Sequence, residues 1–267
     1  MKQNFRKKDA DFIRKSYNIY YKTGLYSQRY PKPNPGFLKR ILSLMPQDGG
    51  CVLDFGCGDG RYALPIAAQT SAQVICYDPS PAALEQLAER AGSAQLKESI
   101  RIVDGPETKL WETLKSGPRP DLALLAFGVL GHIRFRAKRL ETLRLIGEHL
   151  NDTGKILLTA PNINRRFPQE RRNTPETWNG KKLEPGDILY KRQAGDIPIK
   201  LFYHLYSASE LYQDLQDSGF RNIRLSAESI QPESMIIKNR FWNALDQALK
   251  LVTPVNLAYG IVAVAEK

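Results

Sequence analysis

The chain has 267 residues, three cysteines and a formal net charge of +11. This length suits one α/β domain of about 200 residues with additional segments. The cysteines are odd in number and lack a Cys-x-x-Cys spacing, which argues against a disulfide framework and against a zinc site. No apolar run approaches the roughly 18 residues of a membrane span, and the basic N-terminal region lacks the apolar core of a signal peptide. We therefore expect a cytoplasmic protein.

Residues 1–45 are predicted to form a basic, aromatic and helical arm. Residues 1–40 contain eleven lysines and arginines but only two aspartates. The aromatic residues between Phe12 and Tyr21 fall at helical spacings, which predicts one face of a helix packed on the core. An irregular segment with prolines, residues 26–33, follows, and Arg29 and Tyr30 within it are candidate ligand contacts.

The most informative segment is Val52 to Tyr62, which reads V-L-D-F-G-C-G-D-G-R-Y. Its apolar start predicts a buried strand, its alternating glycines a tight turn, and the apolar residues from Tyr62 onward a helix. A strand–turn–helix unit of this kind lets the backbone approach a nucleotide-like ligand closely. The glycine spacing matches neither the dinucleotide fingerprint nor the P-loop. Asp54 would repel a pyrophosphate but can pair with a cation, such as an ammonium group of a ligand.

A second short apolar run, residues 72–77, ends at Asp78-Pro79-Ser80. An acid placed about 20 residues after a glycine turn can accept hydrogen bonds from ribose hydroxyls. Its alternative role is to cap the helix that begins at Pro81, but Ser80 can provide that cap. We therefore predict that Asp78 binds a ribose, with Pro79 beside it.

The glycine segment resembles motif I of the class I S-adenosylmethionine (SAM) methyltransferases. Residues 120–131 resemble motif IV of that family, at the end of the central strand, and further apolar runs at 99–103 and 154–162 alternate with helical patterns. The predicted fold class is therefore α/β: a Rossmann-like, doubly wound and mostly parallel sheet of seven strands, with helices on both faces. Residues 46–267 would form this SAM-binding domain.

The resemblance also implies which residues contact SAM. Gly56 and Gly58 would let the backbone approach the methionine part, with Asp54 nearby, and Asp104 would bind the adenine amino group. The full predicted set of cofactor-binding residues is Asp54, Gly56, Cys57, Gly58, Asp78, Pro79, Asp104, Gly105, Ala126 and Phe127.

Residues 161–206 are predicted to be a basic insertion, or lid, after the fifth strand, and residues 235–253 a helix before the last strand. In this fold the arm and such an insertion commonly cover the mouth of the SAM pocket. Arg165 and Arg166 are the candidate substrate contacts within the insertion. Basic surface beside a site favours an anionic acceptor or an anionic scaffold that carries it. The alternative is that these charges serve only solubility.

SAM carries its own electrophile, so the protein need only align a nucleophile and exclude water, and no metal is expected. A hydroxyl acceptor needs a general base, whereas a carboxylate acceptor needs little more than positioning. His132 follows motif IV, and Tyr203 and His204 lie at the return from the insertion. These three are the candidate catalytic residues, with a structural role as the alternative for either histidine.

Short segments across the chain, among them Gly60-Arg61-Tyr62 and Phe202 to Tyr206, are similar to the tRNA wobble-uridine methyltransferases, which esterify a carboxymethyl group. The apolar C-terminal part departs from that pattern and is similar to methyltransferases of small, lipid-linked or glycan acceptors. Three hypotheses remain. The favoured one is an enzyme that methylates an oxygen of an anionic acceptor such as modified tRNA. The others are an enzyme for a small or lipid-linked metabolite, and a non-catalytic subunit of the same fold.

Overall fold

The computed structural model describes the backbone of residues 2–267 and the side chains of residues 11–267; Met1 and the side chains of residues 2–10, all in the predicted arm, lie outside this description. Within this range the predicted arm contains α1 (Lys2–Lys22), α2 (Leu25–Arg29) and α3 (Pro35–Leu44). The third helix begins at Pro35 because the Asn34 side chain accepts hydrogen bonds from the amides of Gly36 and Phe37.

Short apolar strands form the parallel part of the central sheet. They are β1 (Cys51–Phe55), β2 (Gln73–Tyr77), β3 (Ile100–Val103), β4 (Leu122–Leu125) and β5 (Lys155–Pro161). The intervening helices are α4 (Ala63–Gln69), α5 (Pro81–Ser93), α6 (Glu107–Ser116) and α7 (Arg136–His149). Ser80 caps α5 as predicted, because its hydroxyl accepts from the amide of Ala83 at 3.3 Å. Most strand residues are buried, since helices cover both faces of the sheet.

The insertion after β5 forms small elements that are separate from the central sheet. They are α8 (Pro168–Asn173), β6 (Thr177–Trp178), β7 (Lys181–Lys182), β8 (Asp187–Ala194) and β9 (Ile197–His204). Strands β6 and β7 pair antiparallel, and so do β8 and β9.

The C-terminal part completes the central sheet. Its elements are α9 (Ala208–Asp217), β10 (Arg221–Ser229), α10 (Glu233–Ile236), α11 (Arg240–Leu249) and β11 (Gly260–Glu266). The strand order is β10-β11-β5-β4-β1-β2-β3, with β11 antiparallel to both of its neighbours. The predicted doubly wound, mostly parallel seven-stranded sheet is therefore confirmed. Within residues 2–267, no helix has the length and apolarity that crossing a bilayer requires.

The arm and the insertion share one apolar cluster. Tyr20, Tyr21 and Tyr26 of the arm are buried together with Ile188 and Leu201 of the insertion. Because α1 packs on both β9 and α5, this cluster lies over the carboxyl ends of the parallel strands. Ligands of open α/β sheets bind at that edge, so the two added segments cover the expected binding region.

Candidate cofactor and acceptor sites

The glycine turn after β1 is bonded to the end of the neighbouring strand β2. The amides of Gly56 and Cys57 donate to the carbonyl of Tyr77 at 2.7 and 3.0 Å. The amide of Gly58 donates to Oδ2 of Asp78 at 2.9 Å. These bonds join two of the segments that were predicted to bind the cofactor.

Two of the glycines are required by the backbone and by close neighbours. Gly56 and Gly58 have φ angles of 80° and 55°, in the region that disfavours residues with a side chain. A Cβ on Gly56 would collide with Val129, and a Cβ on Gly58 would collide with the hydroxyl of Tyr21. Tyr21 of the arm therefore covers the turn directly. Sequence reasoning missed this contact, because helical spacing identifies a buried face but not the group that it covers.

Asp54 and Asp78 are buried carboxyl groups at this edge. Asp54 is 2% exposed, and its Oδ2 has no hydrogen-bond partner among the described residues. Burial, and after it the charge of Asp78, raises the pKa of Asp54 to about 7. Burial also raises the pKa of Asp78 to about 6, although the amides of Ser80 and Gly58 stabilise its ionised form. A ligand that brings positive charge and hydrogen-bond donors would stabilise both carboxylates.

The other residues predicted to bind the cofactor follow the neighbouring strands. Pro79, after β2, is half-buried, and Asp104 and Gly105, after β3, are exposed. Ala126, after β4, is buried, and Phe127 is half-buried. All of them lie at one edge, because the carboxyl ends of parallel strands share an edge of the sheet.

A cavity of about 100 Å³ lies at the ends of β4, β5 and β10. The arm contributes Arg29 and Tyr30 to its wall, the insertion contributes Arg166 and Tyr203, and β10 contributes Glu228. The structure therefore brings three of the four predicted substrate residues together with the predicted catalytic residue Tyr203.

The adjacent arginines Arg165 and Arg166 have different surroundings. The guanidinium of Arg166 lies 4.9 Å from the ring centre of Tyr259 and 5.8 Å from that of Tyr203. Its Nε has no hydrogen-bond partner among the residues that the structure describes. Arg165 is exposed and donates to the carbonyl of Leu257 at 3.0 Å, outside the cavity wall. Only Arg166 is thus placed to meet a molecule in the cavity.

Two further arginines line the cavity. The Nε of Arg29 is buried and also has no partner in the described part of the chain. Arg192, which the sequence presents only as one member of a basic pair, lies with its guanidinium 4.8 Å from the ring centre of Tyr190. Together with Arg166, these side chains make the cavity favourable for an anionic group.

Glu228 is a residue of the cavity wall that sequence reasoning missed. Burial, and after it the nearby Glu233, raises its pKa to about 8, although Arg166 acts in the opposite direction. A carboxyl group with a pKa near neutral pH is suited to accept a proton from a bound molecule. It belongs to no motif, and a single glutamate in an edge strand carries no sequence signal for such a role.

The backbone bends sharply where β4 meets the cavity. Phe127 has φ 60° and ψ 32°, and Gly128 has φ 76°. This left-handed conformation costs roughly 1–2 kcal/mol at Phe127 and is typical of functional sites. The amide of Gly128 donates to Oγ1 of Thr159 at 3.0 Å, and the hydroxyl of Tyr203 donates to the Phe127 carbonyl at 3.4 Å. Tyr203 therefore helps to hold the bend at the predicted motif IV.

His132 is fixed beside Tyr203 but does not line the cavity. Its Nδ1 lies 2.9 Å from the carbonyl of Phe202, so this nitrogen donates, and Nε2 accepts from the hydroxyl of Tyr17 at 2.6 Å. The imidazole stacks on the ring of Tyr203 with centres 4.2 Å apart. Burial lowers the pKa of His132 to about 4, which keeps the ring neutral.

His204 lies at the return from the insertion in a buried ion-pair network, and it does not line the cavity. It is fully buried, and its Nδ1 and Nε2 contact Asp187 at 2.8 Å and Glu210 at 2.9 Å. Burial alone would lower its pKa, but these hydrogen bonds raise it. Glu184, Asp187 and His204 have the spacing of metal ligands, yet the guanidinium of Arg139 lies 3.1 Å from Glu184. With both ring nitrogens bonded, His204 has no free atom for an acceptor.

Arg61, directly after the third glycine, joins the turn to two other segments. It is 4% exposed, pairs with Glu233 of α10 at 2.7 Å and donates from Nε to the carbonyl of Lys32 at 3.0 Å. Its guanidinium lies 5.0 Å from the ring centre of Phe127. The sequence presents Arg61 within the Gly60-Arg61-Tyr62 segment and assigns it no role, whereas in the fold it connects the glycine turn to Glu233 of the cavity wall.

Known proteins share this architecture. A family model described as a methyltransferase domain matches residues 27–225. No curated protein matches the chain significantly. The CcbJ methyltransferase from Streptomyces caelestis is 16% identical, with a TM-score of 0.60 over 88% of this chain and 90% of that chain. A SAM-dependent methyltransferase from Methanosarcina mazei is 16% identical, with a TM-score of 0.61 over 88% and 98%.

A third solved structure is the 1,6-didemethyltoxoflavin-N1-methyltransferase of Burkholderia thailandensis with bound 1,6-didemethyltoxoflavin and S-adenosylhomocysteine. It is 18% identical, with a TM-score of 0.56 over 97% of this chain and 88% of that chain. At these identities the structural similarities show a shared fold.

Replacing Asp54 with asparagine should stabilise the ligand-free protein at pH 8. Because the pKa of Asp54 is about 7 instead of its ordinary 3.8, the ionised group costs stability above pH 7, and this cost disappears below about pH 4. We expect Asp54→Asn to raise the free energy of unfolding at pH 8 by about 1–3 kcal/mol, after allowance for the buried amide. Urea unfolding at pH 8 and pH 4 measures this. Asp152→Asn, at an exposed position, serves as the control. Equal stability of Asp54→Asn and the parent at pH 8 would contradict the raised pKa of Asp54.

Proposed function

The chain belongs to the methyltransferase-domain family, and from this premise we propose that it uses SAM to methylate a hydroxyl oxygen of an anionic acceptor bound between the arm and the insertion. The observation that carries the proposal is a pair of buried Nε atoms, those of Arg29 and Arg166, which have no hydrogen-bond partner among the described residues and lie in one cavity beside the bend at Phe127. Guanidinium groups in such surroundings favour carboxylates and phosphates.

The residues predicted to bind SAM fit its chemistry. When bound, SAM supplies an electrophilic methyl group on a sulfonium ion. In the proposal Asp54 faces the positively charged methionine part, and this role is supported by its Oδ2, which no described residue bonds. Asp78 accepts hydrogen bonds from the ribose, and Gly56 and Gly58 keep the backbone free of side chains there. Asp104 is exposed at the edge where the adenine amino group would lie.

The chain's own residues then position the acceptor and move its proton. Arg29 and Arg166 bind the anionic group, while the rings of Tyr30, Phe127 and Tyr203 exclude water from the cavity. As the oxygen–carbon bond forms and the sulfur–carbon bond breaks, Glu228 accepts the proton of the hydroxyl group. His132 positions Tyr203 and Tyr17 through its neutral ring. His204 anchors the base of the insertion and takes no part in proton transfer.

Two observations support a small acceptor. The cavity is about 100 Å³ and is lined by side chains of the arm and the insertion. The Burkholderia thailandensis neighbour holds a small molecule, 1,6-didemethyltoxoflavin, on the same fold.

A second candidate acceptor is an anionic group carried on RNA. It is favoured by exposed basic side chains of the insertion, which could bind phosphates. These are Arg171, Arg172, Lys182 and Lys191.

Methyl-labelled SAM distinguishes the two acceptor classes. With a cell extract as the acceptor source, we expect label in the small-molecule fraction. We expect no transfer by the variant Gly58→Val. The valine side chain would collide with Tyr21 at a positive φ angle and so disturb the turn that is predicted to bind SAM. Thermal melting of this variant checks that it folds. Label that precipitates with RNA and is released by nuclease would establish the second candidate, and SAM binding without any transfer would contradict the enzymatic proposal.

The neighbouring arginines should differ in their effect on turnover. Arg166→Ala should lower kcat/KM for the acceptor by about tenfold to a thousandfold, because it removes the proposed charged hydrogen bond to the anionic group of the acceptor. Its affinity for SAM should stay within about twofold. Arg165→Ala is the matched control and should change neither quantity, since its side chain binds the Leu257 carbonyl outside the cavity. Equal losses in the two variants would refute a specific role for Arg166.

Glu228 should determine the pH profile. A base with a pKa of about 8 accepts a proton only when ionised, so kcat/KM should rise as the pH increases through 8. Glu228→Gln should lower kcat by about 10²–10⁴-fold and abolish this rise. The exposed Glu148→Gln should behave like the parent. A Glu228→Gln profile that keeps the rise would exclude Glu228 as the base.

A further inference from the structure

Helix α11 is oriented opposite to an ordinary surface helix. Its acid Asp246 faces the protein and is only 1% exposed, and its Oδ1 accepts from the amides of Ile230 and Gln231 at 2.7 and 3.0 Å. Phe241, on the other side, is 68% exposed. A helix that packs on a core normally buries its apolar face and exposes its polar face. The reversed orientation leaves part of the apolar face exposed, although Trp242 and Leu245 on that face are half-buried.

The segment that follows α11 extends this apolar face. Leu251 and Val252 are 81% and 80% exposed, which is unusual for neighbouring aliphatic residues. We define the α11 surface as the exposed apolar residues Phe241, Leu249, Leu251, Val252 and Leu257. An exposed apolar patch of this kind marks an interaction site.

The exposed charged residues of the segment 235–258 have one sign. Between residues 235 and 258 the only acidic residue is Asp246, which is buried. Lys238 and Arg240 are exposed and Lys250 is half-buried. Arg165 reaches the same region, because it donates to the carbonyl of Leu257. The surface is therefore apolar with positively charged neighbours.

We propose that the α11 surface binds an anionic lipid bilayer at its interface. Aromatic and aliphatic side chains flanked by lysine and arginine are the combination that holds interfacial helices in the headgroup region of anionic membranes. A second copy of the chain is a less suitable partner for the α11 surface than an anionic membrane. A two-fold contact through this surface would bring the basic residues of one copy against the equally basic surface of the other. The proposal is independent of the acceptor, since no residue of the α11 surface lines the cavity.

Vesicle flotation with the full chain tests the proposal. The probes are phosphatidylcholine vesicles and vesicles with roughly one third phosphatidylglycerol. We expect binding to the anionic vesicles only, and at least about a tenfold loss of binding in the double variant L251D/V252D. Tyr212→Asp, which places the same charge at a half-exposed aromatic residue on α9, should bind like the parent. Absence of binding to anionic vesicles, or equal binding by L251D/V252D, would overturn the proposal.

Two further measurements separate the alternatives. Sedimentation equilibrium without lipid should show the same mass for the parent and for L251D/V252D; a dimer that this variant dissociates would overturn the membrane proposal in favour of self-association. SAM binding by L251D/V252D should equal that of the parent. This equality shows that the variant is folded and keeps a failed vesicle experiment distinct from a failure of the proposed methyl transfer.

Discussion

The carboxyl edge of this sheet is organised around two buried carboxyl groups, Asp54 and Asp78, which have no positively charged partner among residues 11–267. Burial raises the pKa of both groups. Asp54 lies on β1 and Asp78 directly follows the adjacent parallel strand β2, so the strand register places both groups at one edge of the sheet whether or not a ligand is bound. The glycine turn between the strands donates one amide to Asp78, while Oδ2 of Asp54 has no hydrogen-bond partner in the described part of the chain. The fold thus contains two buried acidic groups at unfavourable cost, and binding of a cationic ligand would reduce this cost.

Around the cavity between the arm and the insertion, the buried charge is positive instead of negative. Arg29, Arg61 and Arg166 all approach aromatic rings, and only Arg61 has a carboxylate partner among the described ion pairs. The faces of aromatic rings stabilise guanidinium groups without neutralising them. Arg29 and Arg166 can therefore keep unpaired nitrogen atoms in a cavity. In the proposed function, acidic groups lie at the cofactor side and basic groups at the acceptor side, an arrangement that suits a reaction between a cation and an anion.

The excess positive charge of the chain has three different environments. Part of it lines the cavity, part is exposed on the insertion, and part surrounds the α11 surface. Arg139 belongs to a fourth group, because it is neutralised inside the protein by Glu184 and neighbouring carboxylates. That network attaches the base of the insertion to α7 and α9. The β8–β9 hairpin, which carries Tyr203, therefore has a defined position.

The sequence by itself determined the sheet, the glycine turn and the acids at the ends of β1, β2 and β3. These features are local: alternation of apolar runs with helical patterns, positive φ angles at glycine, and a serine cap before α5 all act within a few residues. The sequence also indicated Arg29, Arg166 and Tyr203, without showing that they share a cavity. Only the tertiary structure separated Arg166 from Arg165 and His132 from His204, brought Tyr21 onto Gly58, and placed Glu228 in the cavity. Those outcomes depend on packing between segments far apart in the chain, which fixes the surroundings of each side chain and leaves no periodic signal in the sequence.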